Sequence, residues 1–202
     1  MEDIFDTTFD SIKNPYESFS HSLVSSKLWL CEELEWVLDK QLIKNPVVNI
    51  LASWDSLLAF MLLIRRPKFY GVVNAYDIDG SAINNANKLC DHWSYEYPKV
   101  YNHIKDINKL DFTNAGPESV FINTSIDQLD NTSWYEVIPA GTIVCLQCTD
   151  LPIDYEGWDI KQSHDIEGFM LTYPMSHRMF TESKEFDYGH LKFKRHMIIG
   201  IK

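Results

Sequence analysis

The clearest hydrophobic pattern in the chain runs from Val47 to Asp79. A short apolar run rich in Val and Ile, Val47 to Leu51, is followed by a turn and by a segment with helical spacing that continues to about Ile64. A second apolar run, Tyr70 to Tyr76, comes next and is closed by acidic residues. A strand, a helix and a strand in this order predict a βαβ unit, which places two parallel strands side by side in a sheet.

The rest of the chain alternates helical and strand-like patterns and ends in two long β-rich runs. Helices are predicted at Ser20 to Ile43, Ser81 to His92, near Trp134 and at Asp165 to Thr172, and strands at Val100 to Lys105, Ser119 to Asn123 and Thr142 to Gln147. The last runs, His177 to Phe186 and Leu191 to Ile201, flank a short turn and predict a hairpin. We expect one α/β domain over residues 20 to 202, after a loosely structured lead-in at residues 1 to 19.

Two acidic residues close the second strand of the βαβ unit. Asp77 and Asp79 fall at its carboxyl end, where open α/β sheets bind ligands and where a carboxylate commonly binds both hydroxyls of a ribose. The pattern therefore favours a ligand that contains a nucleoside. The alternative is structural, because an acid at this position also caps the helix that follows.

Charge and composition narrow the class of partner. The chain has 18 Lys and Arg against 29 Asp and Glu, a formal net charge of −11, and its cations are scattered apart from two short clusters. Nucleic acid is disfavoured as a partner, since phosphate contacts need clustered cations, and a small molecule, a nucleotide or a protein fits more easily. No apolar run is long enough to span a bilayer, and the acidic N-terminus lacks the pattern of a secretory signal, so we expect a cytoplasmic protein.

The cysteines and histidines do not predict a metal site. Cys145 and Cys148 have the spacing of a CxxC motif, but they fall on a predicted strand, where residues three apart point to opposite faces. The seven histidines show no zinc-binding spacing. We expect reduced thiols and no bound metal.

The order of these elements resembles the class I S-adenosylmethionine-dependent methyltransferases. The segments that carry the resemblance are SKLWLCEEL, NILASW, YDID, VFINTSIDQL, IPAGTIVCLQ and RHMIIGIK, in that order. Within that superfamily the chain looks most like small single-domain methyltransferase-like proteins of tailed bacteriophages. The resemblance implies a Rossmann-like, three-layer αβα fold with a seven-stranded, mostly parallel sheet whose last strand is antiparallel and lies between strands five and six. For a phage protein it also implies the host cytoplasm.

The resemblance assigns S-adenosylmethionine as cofactor and suggests which residues bind it. The loop Ala52 to Asp55 would wrap the methionine part, with backbone N–H groups on its carboxylate. Asp77 would bind the ribose, with Asp79 as a second candidate. Asp106 would accept a hydrogen bond from the adenine amino group, and Ile107 would cover the ring. Lys27, in the first helix, would reach the cofactor's carboxylate.

The loop after the first strand departs from the family pattern. The superfamily usually has glycines here, whereas this chain has Ala52, Ser53, Trp54, Asp55 and Ser56. Two hypotheses follow. If the loop is functional, Ala52 should adopt an ordinary negative φ, and Asp55 and Lys27 should contact the cofactor's amino and carboxylate groups. If it is degenerate, the chain is a non-catalytic binding protein or a structural protein of a virion.

Residues after the fourth strand are the candidates for catalysis. By the resemblance, Asn123 and Asp127 lie where methyltransferases position the methyl acceptor, and Asp127 is the candidate base. Both residue types are also good helix caps, which is the structural alternative. The segment lacks the NPPY signature of many amino-methylating enzymes, so the acceptor and the oligomeric state stay undetermined.

Overall fold

Seven strands form one sheet in a computed structural model that describes residues 21–91, 100–153, 155, 159–187 and 192–202. In chain order they are β1 (Val47–Leu51), β2 (Val72–Asp77), β3 (Val100–Ile104), β4 (Ser119–Asn123), β5 (Ile143–Thr149), β6 (His177–Asp187) and β7 (Lys192–Ile201). Their spatial order is β3-β2-β1-β4-β5-β7-β6. The pairs among β1 to β5 are parallel, and β7 is antiparallel to both β5 and β6. The predicted sheet, with its terminal hairpin and its last strand between strands five and six, is confirmed.

The register aligns the ends of the central strands. Leu51, the last residue of β1, pairs with Tyr76 of β2 on one side and with Asn123 of β4 on the other. The chain segments that follow these three strands therefore leave the sheet at the same carboxyl edge. Thr149, the last residue of β5, pairs with Arg195 of β7 and brings that residue to the same edge.

In the described part of the chain, five α-helices accompany the sheet: α1 (His21–Lys40), α2 (Leu57–Arg65), α3 (Gly80–Asp91), α4 (Ser133–Glu136) and α5 (Ile166–Thr172). Helix α1 buries Leu30, Leu34 and Leu38, which recur at helical spacing on one side. Helix α2 is apolar on every side and its residues Leu57 to Leu63 are all buried, since it lies against both the sheet and α1. These helices match the predicted ones to within a few residues at each end.

Two hydrophobic clusters cover the two faces of the sheet. One joins α1 and α2 to the sheet through residues such as Leu34, Leu58 and Val120. The other joins α4 and α5 to the opposite face through Trp134, Phe169 and Phe121. Strand residues alternate between the clusters, as Val120 and Phe121 do, so the sheet is a central layer with helices on both sides.

The structure corrects the start of β2. The sequence pattern predicts that this strand begins at Tyr70, but the paired strand begins at Val72. Tyr70 is instead buried in the core, with its ring edge-on to Phe69 at a centroid distance of 5.1 Å. A side chain at Gly71 would lie 2.8 Å from the carbonyl oxygen of Asn45, so the chain passes through this point close to another backbone segment.

Other sequence expectations concern cysteines, metals and membranes. Cys145 and Cys148 do belong to different core clusters on opposite faces of the sheet. In the described ranges, no group of metal-binding side chains is brought together, and no helix has the length and apolar character needed to cross a bilayer. The lead-in at residues 1–19 and the start of the last predicted strand at Leu191 lie outside the described residues.

Candidate active site at the carboxyl edge of the sheet

The loop between β1 and α2 has an unusual backbone. Ala52, Trp54 and Ser56 have φ values of 52, 52 and 58°. These values lie in the left-handed region that glycine usually occupies. A residue with a Cβ is strained there by about 1–2 kcal/mol. The negative φ at Ala52 that we expect of a functional loop is not found. The loop follows the kind of path that glycine permits, although the sequence has none there.

Hydrogen bonds fix this loop against β2. The Ser53 N–H donates to the carbonyl oxygen of Tyr76 at 2.9 Å, and the Trp54 N–H donates to Asp77 Oδ2 at 2.7 Å. The Ser56 N–H donates to the carbonyl oxygen of Ser53 at 3.0 Å. These three amides already have acceptors within the protein. The predicted role of the Ser53 and Trp54 amides in binding a carboxylate is therefore not supported by this geometry.

The two acids after β2 have different roles. Asp79 Oδ1 accepts the N–H groups of Ser81 at 2.7 Å and of Ala82 at 3.4 Å, so Asp79 caps α3, as the structural alternative foresaw. Asp77 accepts one backbone N–H on each oxygen, from Trp54 and, at 2.9 Å, from Asp79. A carboxylate has about four lone-pair sites, so Asp77 keeps acceptor capacity for a ligand. It also joins the β1 loop to the β2 loop.

Asp106 and Ile107 follow β3. Asp106 Oδ1 accepts the Asn108 N–H at 3.0 Å, and the carboxylate forms an ion pair with Lys109 at 3.1 Å. The Asn108 backbone N–H and then Lys109 hold the pKa of Asp106 below its usual range. Ile107 is buried in the second core cluster. The role of Asp106 and Ile107 in binding adenine stays a prediction.

The residues after β4 include two buried polar side chains with unmet hydrogen-bonding capacity. Asn123 is fully buried; its Oδ1 accepts the Ser125 N–H at 2.9 Å, but its Nδ2 has no partner. Asp127 is 3% exposed and its Oδ1 has no partner. Burial raises the pKa of Asp127, against the opposing effect of Arg195 and Lys27. Groups of this kind are rare in folded proteins and are candidate sites of ligand contact.

Lys27 belongs to the same polar cluster. It lies near the N-terminal end of α1 and interacts electrostatically with Asp55, Asp127 and Arg195. Burial, followed by the nearby charge of Arg195, lowers the pKa of Lys27 to about 8. Lys27 therefore lies near Asp55 of the β1 loop, which is itself 3% exposed, and its contact with the cofactor's carboxylate stays a prediction. Trp29, two residues further along α1, is part of the hydrophobic core.

Sequence reasoning missed two residues of this region, Arg195 and His164. Arg195 is 5% exposed, and His164 Nε2 is a buried nitrogen without a partner. The segment RHMIIGIK could have identified Arg195 as a candidate, since it places a cation in an apolar strand. Such a position is unusual because Arg is almost never fully buried unless paired. His164 lies outside any regular pattern, in a segment whose Lys161 and Gln162 N–H groups donate to the carbonyl oxygen of Asp127.

Comparison with known proteins defines the fold. No protein-family model matches the chain, and no curated protein matches its sequence. Among solved structures, the N-methyltransferase NodS from Bradyrhizobium japonicum WM9, in complex with S-adenosyl-L-homocysteine, covers 98% of each chain at 8% identity with a TM-score of 0.66. The chain has the class I methyltransferase fold. The magnesium protoporphyrin IX methyltransferase ChlM from Synechocystis PCC 6803, with bound SAM, covers 88% of this chain and 81% of its own, at 9% identity and a TM-score of 0.61.

Proposed function

We propose that the chain is an S-adenosylmethionine-dependent methyltransferase whose methyl acceptor is still to be identified. The observation that carries this proposal is the set of buried polar atoms without partners, Asn123 Nδ2, Asp127 Oδ1 and Arg195 Nε, at the edge where β1, β2 and β4 end. Leaving such atoms unpaired costs about 1–3 kcal/mol each, so a ligand that pairs them would recover free energy. The similar structures of NodS and ChlM contain S-adenosylhomocysteine or SAM.

The residues at this edge suit the chemical groups of S-adenosylmethionine. Asp77 has acceptor capacity for the ribose hydroxyls. Lys27 and Asp55 offer opposite charges for the carboxylate and the ammonium of the methionine part. Asp106 and Ile107 remain the candidates for adenine. When bound, the cofactor supplies an electrophilic methyl group, and the protein's task is to position the acceptor and to remove its proton where necessary.

Asp127 is the candidate base for that proton. Its buried carboxyl group has a raised pKa, so its carboxylate form is a stronger base than an ordinary aspartate. Asn123 has a free Nδ2 donor for orienting a polar acceptor. The fully buried position of Asn123 and the near-complete burial of Asp127 exclude most bulk water from both groups.

A second candidate function is a non-catalytic binding or structural role, and the β1 loop favours it. The amides of Ser53, Trp54 and Ser56 are engaged within the protein, and the Cβ atoms of Ala52 and Trp54 occupy a path where glycine would let a ligand approach more closely. Origin from a bacteriophage and a cytoplasmic location both remain predictions.

Calorimetric titration with S-adenosylhomocysteine of the parent chain and of an Ala52→Gly, Trp54→Gly variant separates the two functions. Glycine suits the positive φ at both positions and removes the side chains in question. Binding by the parent, with comparable affinity in the variant, supports the enzyme. Binding by the variant alone supports the degenerate protein. If neither binds, the cofactor assignment is wrong.

A further inference from the structure

Arg195 is a buried cation that has no ion-pair partner among the described residues. Only 5% of the residue is exposed. Its Nη1 makes one long hydrogen bond, 3.4 Å, to the carbonyl oxygen of Thr124, and its Nε has no partner. No carboxylate among the described residues lies within ion-pair distance of the guanidinium. Charged groups are otherwise found inside proteins paired or bound to a ligand, so a buried guanidinium without an ion pair is a candidate for binding an anion.

Arg195 lies on the side of the site away from the predicted ribose position. It pairs with Thr149 at the carboxyl end of β5, and its side chain reaches across the end of β5 to Thr124, which directly follows β4. Asp77 lies at the end of β2, beyond β1 in the sheet order. A group bound by Arg195 would therefore lie at the β4, β5 and β7 end of the edge, next to the segment that contains Asp127.

Lys27 and Asp127 both interact electrostatically with Arg195. Lys27 is close enough for the two cations to repel each other. Burial raises the pKa of the Asp127 carboxyl group and Arg195 opposes this rise, but the two side chains do not form an ion pair. Lys27 also interacts with Asp55 of the β1 loop, whereas Arg195 extends toward the end of β4. The two cations can thus serve two different anions, one at each end of the cluster.

We propose that Arg195 binds an oxyanion of the methyl acceptor, a carboxylate or a phosphate, and that the acceptor is a small anionic molecule. This inference rests on the methyltransferase function proposed above. A guanidinium matches both oxyanions, because its parallel N–H donors form paired hydrogen bonds with them. The net charge of −11 repels large polyanions at long range, which favours a small molecule over a nucleic acid.

The test uses thermal unfolding of the full chain with increasing inorganic phosphate or acetate, for the parent and three variants. Arg195→Met removes the cation, whereas Arg195→Lys keeps the charge but loses the parallel N–H donors of the guanidinium. Lys194→Met removes an exposed neighbouring cation and serves as a control. We expect a saturable rise in the melting temperature of the parent and the Lys194 variant, a reduced rise for Arg195→Lys and none for Arg195→Met. Without anions, Arg195→Met should melt above the parent, because an unpaired buried charge is gone.

An anion-dependent rise that persists in Arg195→Met would overturn the proposal, as would a parent that shows no saturable rise. Titrations with S-adenosylhomocysteine and with 5′-methylthioadenosine, which lacks the amino-acid part, locate the anion. Equal affinity of parent and Arg195→Met for both ligands supports the acceptor assignment. Loss of affinity for S-adenosylhomocysteine alone would assign Arg195 to the cofactor's carboxylate and overturn it. A parent that binds phosphate through Arg195 but not S-adenosylhomocysteine would support the anion site and contradict methyl transfer.

Discussion

At the scale of single residues, Asp77 is the group on which cofactor binding should depend most. Its carboxylate joins the loops after β1 and β2 and keeps lone pairs for the ribose hydroxyls. Replacing Asp77 with Ala should weaken S-adenosylhomocysteine binding by about 1.5–3 kcal/mol, the range for a hydrogen bond to a charged group. Isothermal titration calorimetry measures this difference directly.

Asp79→Ala is the matched control for Asp77→Ala. Asp79 caps α3 through Ser81 and Ala82, so its loss should lower the free energy of unfolding by about 1 kcal/mol. The affinity for S-adenosylhomocysteine should stay near the parent value. If the two variants lost affinity equally, binding would depend on the loop's stability and not on a contact of Asp77 with the ligand.

The lowered pKa of Lys27 predicts that cofactor binding depends on pH. Its pKa is lowered to about 8 by burial and by Arg195, against the opposite effect of Asp55, Cys31 and Asp127. A group with this pKa is charged below pH 8 and neutral above it, so a carboxylate held by Lys27 is released as the pH rises. Affinity for S-adenosylhomocysteine should fall about tenfold between pH 7 and pH 9, as the charged fraction of Lys27 falls.

The Lys27→Arg variant isolates this effect. A guanidinium stays charged across the whole range, so the variant should keep its affinity where the parent loses it. Any pH dependence common to both proteins comes from a group other than Lys27. An identical fall in parent and variant would show that Lys27 does not hold the carboxylate.

At the scale of elements, the strained β1 loop makes an unusual stability prediction. Ala→Gly exchanges normally destabilise, by about 1 kcal/mol in a helix. Ala52 has a φ of 52°, so Ala52→Gly relieves strain that offsets the entropy gained by the unfolded chain, and the free energy of unfolding should change by less than about 0.5 kcal/mol or rise. Ala86→Gly, in the buried face of α3, should cost at least the normal amount. Urea denaturation of the two variants compares them.

The central strands could be predicted from the sequence because most of their buried positions carry apolar residues. All residues of β4 and β5 are buried, and both strands contain apolar runs, Val120 to Ile122 and Ile143 to Leu146. The place of β7 between β5 and β6 came from the resemblance in element order. The start of β2 was misplaced because Tyr70 is as apolar as a strand residue, and only its packing against the core shows that it precedes the strand.

The candidate site was predictable in part, for a similar reason. Acids at strand ends, such as Asp77, follow from topology. The helix cap formed by Asp79 and the hydrogen bond from the Trp54 N–H to Asp77 depend on the conformations of the loops after β1 and β2. The spacing of residues along the chain does not reveal these conformations. The environment of Arg195 is formed by contacts across three strands and by Lys27, so its burial without an ion pair could be found only from the tertiary structure.

At the scale of the whole molecule, β7 connects the parallel part of the sheet to the edge strand β6. A Cβ at Gly200 would clash with the carbonyl oxygen of His177 and lie 3.1 Å from the Cα of Arg178. Gly200→Ala should therefore separate β7 from β6 locally and lower the free energy of unfolding by about 1–3 kcal/mol. In Gly80→Ala, the added methyl group would meet only Ile104 Cδ1 at 3.4 Å, so chemical denaturation should show no loss.

The central claim is that the carboxyl edge of the sheet binds S-adenosylmethionine with its ribose at Asp77. A crystal structure of the chain grown with saturating S-adenosylhomocysteine tests this most directly. The account predicts electron density for the ligand across the ends of β1, β2 and β4, with the ribose hydroxyl oxygens about 2.5–3.0 Å from the Asp77 carboxylate. Density that places the ribose away from Asp77, or an edge without ligand at saturation, would contradict it.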